Sequence, residues 1–197
     1  MNITPEQARQ SLDTIDEAEA SLQKVFERQS GRIVLGWGIA YFFGPLAAHF
    51  LGNSGFLILH LLLLGAIGVT VYESSRKAIA SGPGTQYFGA AWGVLYGFGA
   101  IWFIILSPWG WSEVNDATFQ VISKQMWGYG VTLAMFAYTL MGLWMDRIYL
   151  WIGLSVTATV LIGQFLLSEW YWLWCAGTNG GIMLLGAFIL LRRARRK

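Results

Sequence analysis

Between Arg32 and Glu73 the chain carries no Asp, Glu, Lys or Arg, and four further charge-free runs follow at 78–112, 125–145, 148–168 and 170–191. An α-helix needs about 20 apolar residues to cross about 30 Å of hydrocarbon. The last three runs have that length. The first two are too long for one crossing each, so something must divide or extend them. Composition agrees: 55% of the 197 residues are hydrophobic, 16% aromatic and only 12% charged, far from the soluble average. The chain reads as a membrane protein.

The stretch "LGNSG" at 51–55 divides the first run, because Gly, Asn and Ser accept tight-turn backbone angles. In the second run "SGPG" at 81–84 is a loop, and Pro108 in "SPWGW" stops the next helix by removing a backbone donor. Six spans are expected, at about 33–51, 55–72, 87–106, 126–145, 148–167 and 170–191. Lys and Arg resist translocation. With both termini cytoplasmic, Lys124 is the only outer basic residue of the 13 in the chain. Glu113, Asp116 and Glu169 share its side, in short outer loops. Only Asp146 and Arg147 separate spans four and five, and fusing those spans would send the basic tail outside. Residues 1–31 are polar and do not resemble a cleavable signal, so the first span is expected to stay as an anchor. The compact loops suit a bacterial inner membrane.

The sequence "WGIAYFFG" at 37–44 returns 55 positions later as "WGVLYGFG" at 92–99. A fainter echo links "RIVLGWG" at 32–38 with "RIYLWIG" at 147–153, and "LLGA" occurs at 63–66 and at 184–187. These repeats predict a helical hairpin used three times, with pseudosymmetry about the membrane normal. Trp37, Tyr41 and Gly44 share one helix face, as do Trp92, Tyr96 and Gly99. Small residues let membrane helices approach closely. The expected packing glycines are Gly38 and Gly44 in span one, Gly89, Gly93 and Gly97 in span three, and Gly177 and Gly181 in span six; Gly36 and Ala40 complete the first ladder. The aromatic and glycine stripe is therefore read as packing and interfacial anchoring rather than as a ligand groove.

Polar groups inside spans are few, and each raises a functional hypothesis. Counting from Asn53, His49 lies about 6 Å and His60 about 10 Å deep, and the two could face each other across a hairpin. Such a pair is a candidate for haem ligation. Thr178 and Asn179 in "GTNGG" lie near mid-membrane, where Asn179 is expected to bridge helices; Gln164 in span five is similar. Glu73 and Lys77 are spaced as an i, i+4 ion pair. The lone Cys175 excludes an intramolecular disulfide and a thiolate metal cluster. No phosphate loop, nucleophile elbow or zinc motif occurs, so no enzyme activity is expected. The basic tail at 192–197 abuts span six, where orientation and anionic lipid account for it without nucleic acid.

Ahead of the spans, Thr4, Pro5 and Gln7 form a capping-box start. Ala8, Leu12, Ile15, Glu19, Leu22 and Phe26 follow at spacings of 4 and 3, a heptad seam with Glu19 as its misfit. Ser30 and Gly31 are expected to end this helix. The seam needs a cover from lipid, from the protein's own loops or from another chain. Six acids against three bases make anionic lipid a poor one.

The expected fold is thus all-α and polytopic: a cytoplasmic amphipathic helix at 1–31, six transmembrane helices at 32–191 arranged as three repeated hairpins, and a basic tail at 192–197. The expected role is a non-enzymatic membrane regulator or subunit without a resident cofactor. It would act through helix contacts, engaging a second copy or another protein through residues 4–30, with Leu12, Ile15, Leu22 and Phe26 as contacts. The alternatives are a small-solute channel or transporter lined by Thr178 and Asn179, and a haem-bearing redox subunit built on His49 and His60.

Overall fold

The computed structural model describes residues 4–75, 94, 97, 99, 101 and 116–196. Among these, no strand occurs, and five helices are long and apolar enough to cross a membrane. They are α1 (Pro5–Leu51), α2 (Asn53–Ser75), α3 (Asp116–Trp144), α4 (Arg147–Leu166) and α5 (Tyr171–Arg196). The expected third span lies outside the described residues apart from isolated positions. So do Gly89, Gly93, Lys77 and most of the second "WG" repeat.

The capping box read from the sequence closes as expected. Gln7 N donates to Thr4 Oγ1 at 3.3 Å, and Thr4 N donates to Gln7 Oε1 at 3.1 Å. The expected stop at Ser30 and Gly31 does not occur. The helix runs through both as one 47-residue rod, about 70 Å long at 1.5 Å per residue. Glycine costs a helix about 1 kcal/mol but does not end it without a turn to follow. Here Gly31 serves a contact instead: a Cβ added there would sit 2.8 Å from Leu191 Cγ of α5. The rod also passes through Pro45 and reverses at Gly52, whose φ of 53° suits glycine. The turn is narrower than the expected 51–55, since α2 begins at Asn53.

α2 packs back along α1, with Gly44 against Leu59 and Gly55 against the Ala47 backbone. Deeper along the pair, Trp37 Nε1 donates to Thr70 Oγ1 at 3.0 Å, and that hydroxyl returns its proton to the Ala66 carbonyl at 2.9 Å. α3 and α4 form a second pair, with Gly142 against Leu150, and Gly153 against Thr139 and the Met135 carbonyl. Between them Asp146 caps α4, its Oδ1 accepting from Ile148 N at 2.9 Å while Oδ2 accepts from Arg193 at 2.9 Å. α5 closes the bundle against α1 and α4. Gly38 meets Leu184, Gly180 meets Phe42, Gly186 meets Ile152, and Gly163 meets Trp174.

Two further expectations shift. α3 starts at Asp116, about ten residues before the expected 126, so Lys124 is helical rather than in a loop. Its first turns are apolar enough to pack: Phe119 meets Phe56 edge-on at 5.1 Å, and Trp172 Nε1 donates to Gln120 at 3.3 Å. At the other end α5 continues through Arg196, so the basic tail is the helix's last turns rather than a separate segment. The Gly31, Asp146 and Arg32 contacts gather Arg28, Arg32, Arg147 and the four arginines of α5 at one end of the bundle. Lys124 lies at the other end, donating to the Ser168 carbonyl at 2.5 Å.

Candidate functional site

At the basic end, α1 is clamped to the bundle over Phe26–Arg32. Phe26 packs on the core, and Glu27 accepts from Gln23 Nε2 at 3.1 Å. The Gln29 amide donates to the Glu73 carbonyl, and Arg32 Nη1 reaches Glu73 Oε1 at 3.1 Å. Glu27, Gln29 and Glu73 are all buried, and Tyr149 of α4 lies beside Ser30 and Glu27. Burying charged and amide groups is costly unless they are bonded, and Glu27, Gln29 and Glu73 each have at least one such partner. Glu27 and Gln29 went unremarked in the sequence because they look like ordinary solvent-facing positions of an amphipathic helix. Only the continuity of α1 into the bundle buries them.

Before the clamp every residue from Thr4 to Lys24 is exposed. The predicted seam is therefore uncovered: Leu12 is 59% exposed, Ile15 52% and Leu22 50%. Ala8 and Glu19 share that face, and only Phe26, at the base, is covered. Because α1 does not break at Gly31, this arm cannot fold back along the bundle. It projects by about 30 Å, the length of the 20 residues Pro5–Lys24.

The intramembrane polar residues come together between α4 and α5. The helix does not unwind at "GTNGG"; it widens into a π-helical turn over Ala176–Gly180, a local feature often found at functional sites. Asn179 is wholly buried there. Its Oδ1 lies 2.6 Å from Thr159 Oγ1 and 3.3 Å from Thr178 Oγ1, leaving Nδ2 without a hydrogen-bond partner. Each hydroxyl also has a carbonyl to receive its single proton: Val156 at 2.9 Å for Thr159, and Trp174 at 2.8 Å for Thr178. The two ends of an amide are nearly isosteric. Turned by half a revolution, Asn179 would donate from Nδ2 to both hydroxyl oxygens, leaving each hydroxyl proton for its carbonyl. Trp174 Nε1 adds a bond to the Thr159 carbonyl at 2.8 Å. Thr159 was not singled out in the sequence. Gln164 lies one turn beyond Val160 on α4, near Gly128 of α3.

The glycines divide by what a side chain would meet. Gly38 and Gly44 lie at close approaches. At Gly97, Gly177 and Gly181 an added Cβ meets no heavy atom within 4 Å among the described residues, and Gly180 rather than Gly177 or Gly181 is the contact with α1. The i, i+4 rule names a stripe, but the π-turn adds a residue and rotates which glycine faces the partner.

His49 and His60 have separate surroundings. His49 lies against Phe50 and Trp170, at ring-centroid distances of 4.9 and 5.9 Å. His60 Nδ1 is 2.6 Å from the Phe56 carbonyl of its own helix. The Gly44–Leu59 contact sets His60 near the level of Gly44, about 7.5 Å along the axis from His49. The expected face-to-face arrangement does not form, because the tight turn at Gly52 fixes the register. Among the described residues no group of three His, Cys, Asp or Glu could hold a metal.

A cavity of about 470 Å³ opens between α2 and α3, floored by Trp37, Tyr41, Trp127 and Trp172. Neighbouring rings meet edge to face at 5.2–6.1 Å, a favoured aromatic geometry. The Trp37 and Tyr41 stripe thus packs and also lines a space. No protein family, curated protein or solved structure matches the chain.

Proposed function

We propose that the protein is a bilayer-spanning subunit or regulator of a bacterial inner membrane, and that its α1 arm docks on a helix of another protein chain, a second copy or a different partner. The uncovered Leu12, Ile15 and Leu22 seam on a rod that is continuous with the bundle carries this reading. Of the three possible covers, the protein's own surface is disfavoured by the unbroken helix, which carries the arm away from the described bundle. Lipid is disfavoured by the arm's acidity and by its direction, since a rod continuous with a span cannot lie in the membrane plane. A protein surface is left.

Sidedness follows from charge. The basic end of the bundle faces the cytoplasm, which places the arm there, and the sixth crossing at about 87–106 completes an even number of spans with both termini on that side. The hairpin repeat and its pseudosymmetry belong to the same reading.

Full burial of a Leu or Ile side chain contributes about 1.5–3 kcal/mol. Burying the remaining half of three such residues gives roughly 3 kcal/mol per arm, short of the roughly 4 kcal/mol of a millimolar complex. The contact therefore needs the high effective concentration of two membrane-anchored chains. Replacing Glu19 with Leu repairs the seam and strengthens it.

The test is assembly size in mild detergent. Leu12→Glu combined with Ile15→Glu should reduce the assembly to the smaller species, with the unfolding midpoint unchanged, because neither residue touches the bundle. Deletion of residues 2–24 should do the same. An unchanged assembly in both variants would refute the docking role.

A further inference from the structure

We infer that the cavity between α2 and α3 is a lipid site that takes one acyl chain of a bilayer phospholipid. This inference rests on the bundle lying in a membrane and is independent of what the arm binds.

The wall is aromatic and aliphatic, with His60 and Ser123 as its polar side chains apart from the indole and phenol groups. At about 470 Å³ the space lies within the roughly 300–1,000 Å³ of ordinary ligand sites. An apolar cavity does not hold water well, because ordered water needs two to four polar partners. What fills it is therefore set by what surrounds it.

His60, Ile67 and Gly130 line the cavity and are themselves exposed on the bundle surface, Ile67 to 44%. Among the described residues the cavity therefore opens sideways through the α2 and α3 faces, and α2 also presents Leu57, Leu61 and Leu64 outward. On a bundle that spans a bilayer, that opening faces hydrocarbon.

The lining on α2 runs from Phe56 to Ile67, about 16 Å at 1.5 Å per residue. Half of a hydrocarbon core of about 30 Å is about 15 Å, the reach of one leaflet's acyl chain. The cavity also begins at the end of the bundle where Phe56, Phe119 and Trp172 meet, so a chain entering from that leaflet lies parallel to α2. The edge-to-face ring contacts hold the floor in place before any chain arrives, so little ordering accompanies binding.

Gly130 supplies the test. Among the described residues a Cβ added there meets no heavy atom within 4 Å, so Gly130→Leu extends into the cavity without clashing with a described helix. Gly65 has the same free space but lies outside the cavity lining, and Gly65→Leu is the control. The protein is reconstituted in nanodiscs containing a phospholipid with a photoactivatable diazirine on one acyl chain, irradiated, and the adducts are mapped by peptide mass spectrometry. The expected result is labelling concentrated on the cavity-lining residues of α2 and α3, abolished by Gly130→Leu and retained in Gly65→Leu. Cavity labelling no greater than that of the outward Leu161 and Phe165 of α4 would overturn the inference, as would full labelling in Gly130→Leu. Should Gly130→Leu fail to fold by circular dichroism, Ala134→Leu on the same wall is read in its place, with the same two outcomes.

Discussion

Alanine substitutions at Gly177 and Gly180 should change stability unequally, although the two glycines are three residues apart in one π-helical turn. At Gly180 an added Cβ sits 2.6 Å from both Cα and Cβ of Phe42 and 2.7 Å from its nitrogen. Those are largely backbone atoms of α1, so the two helices must separate by about 1 Å to reach ordinary contact. Overpacking of this kind costs about 1–3 kcal/mol. At Gly177 the same methyl meets nothing within 4 Å among the described residues. Both substitutions gain the same helix propensity, about 1 kcal/mol. That gain cancels in the difference, which leaves Gly180→Ala less stable than Gly177→Ala by about 1–3 kcal/mol, with Gly177→Ala neutral or stabilising. The assay is equilibrium unfolding of both variants by SDS titration in mixed micelles, followed by circular dichroism. Equal effects, or a larger loss at Gly177, would refute the assignment of Gly180 as the contact between α1 and α5.

A double-mutant cycle on Thr159→Val and Asn179→Ala should give a coupling of about 0.6 kcal/mol, and not above about 1.7 kcal/mol, the range of hydrogen bonds between membrane helices; additivity would remove the α4–α5 bridge. Asp146→Ala should cost about 0.5–2 kcal/mol through loss of the α4 cap while Asp146→Asn keeps most of it, as thermal unfolding in detergent would show; equal losses would mean that the ion pair to Arg193 stabilises more than the cap does. Reporter fusions at Asp146 and Lys197 should read cytoplasm and those at Asn53 and Ser168 the opposite side; a fusion at Lys197 reading the opposite side would contradict the sidedness.

Much of the helical layout was legible because charge-free runs of about 20 residues admit few other readings, and because a capping residue such as Thr4 acts locally. What was not legible depends on distant partners. Ser30 and Gly31 look like a helix end, yet the rod continues because Gly31 lets Leu191 approach. Asn179 was identifiable as a polar group in an apolar span, but its partner Thr159 is 20 positions away and unremarkable in sequence. The shift of contact from Gly177 and Gly181 to Gly180 follows from the extra residue of the π-turn, which no 3.6-residue periodicity contains. Trp37 and Tyr41 were read as packing. Their second role appears only when Trp127 and Trp172, about 90 and 135 positions away, complete the floor of a cavity.

The central claim is that another protein chain covers the α1 seam in the native membrane. The buried Cys175 is the chain's one cysteine, so single cysteines introduced at Leu12, Ile15 and Leu22 can be compared with others at Gln10 and Glu17, seven residues apart on the opposite face. Alkylation is timed with a membrane-impermeant maleimide on open, inside-out vesicles and again on the detergent-dispersed, dissociated protein. In the vesicles the three seam positions should slow toward the rate of Cys175 while Gln10 and Glu17 stay fast, and all five should react alike once the assembly is dissociated. Seam cysteines that react in the vesicles as fast as those at Gln10 and Glu17 would contradict that claim.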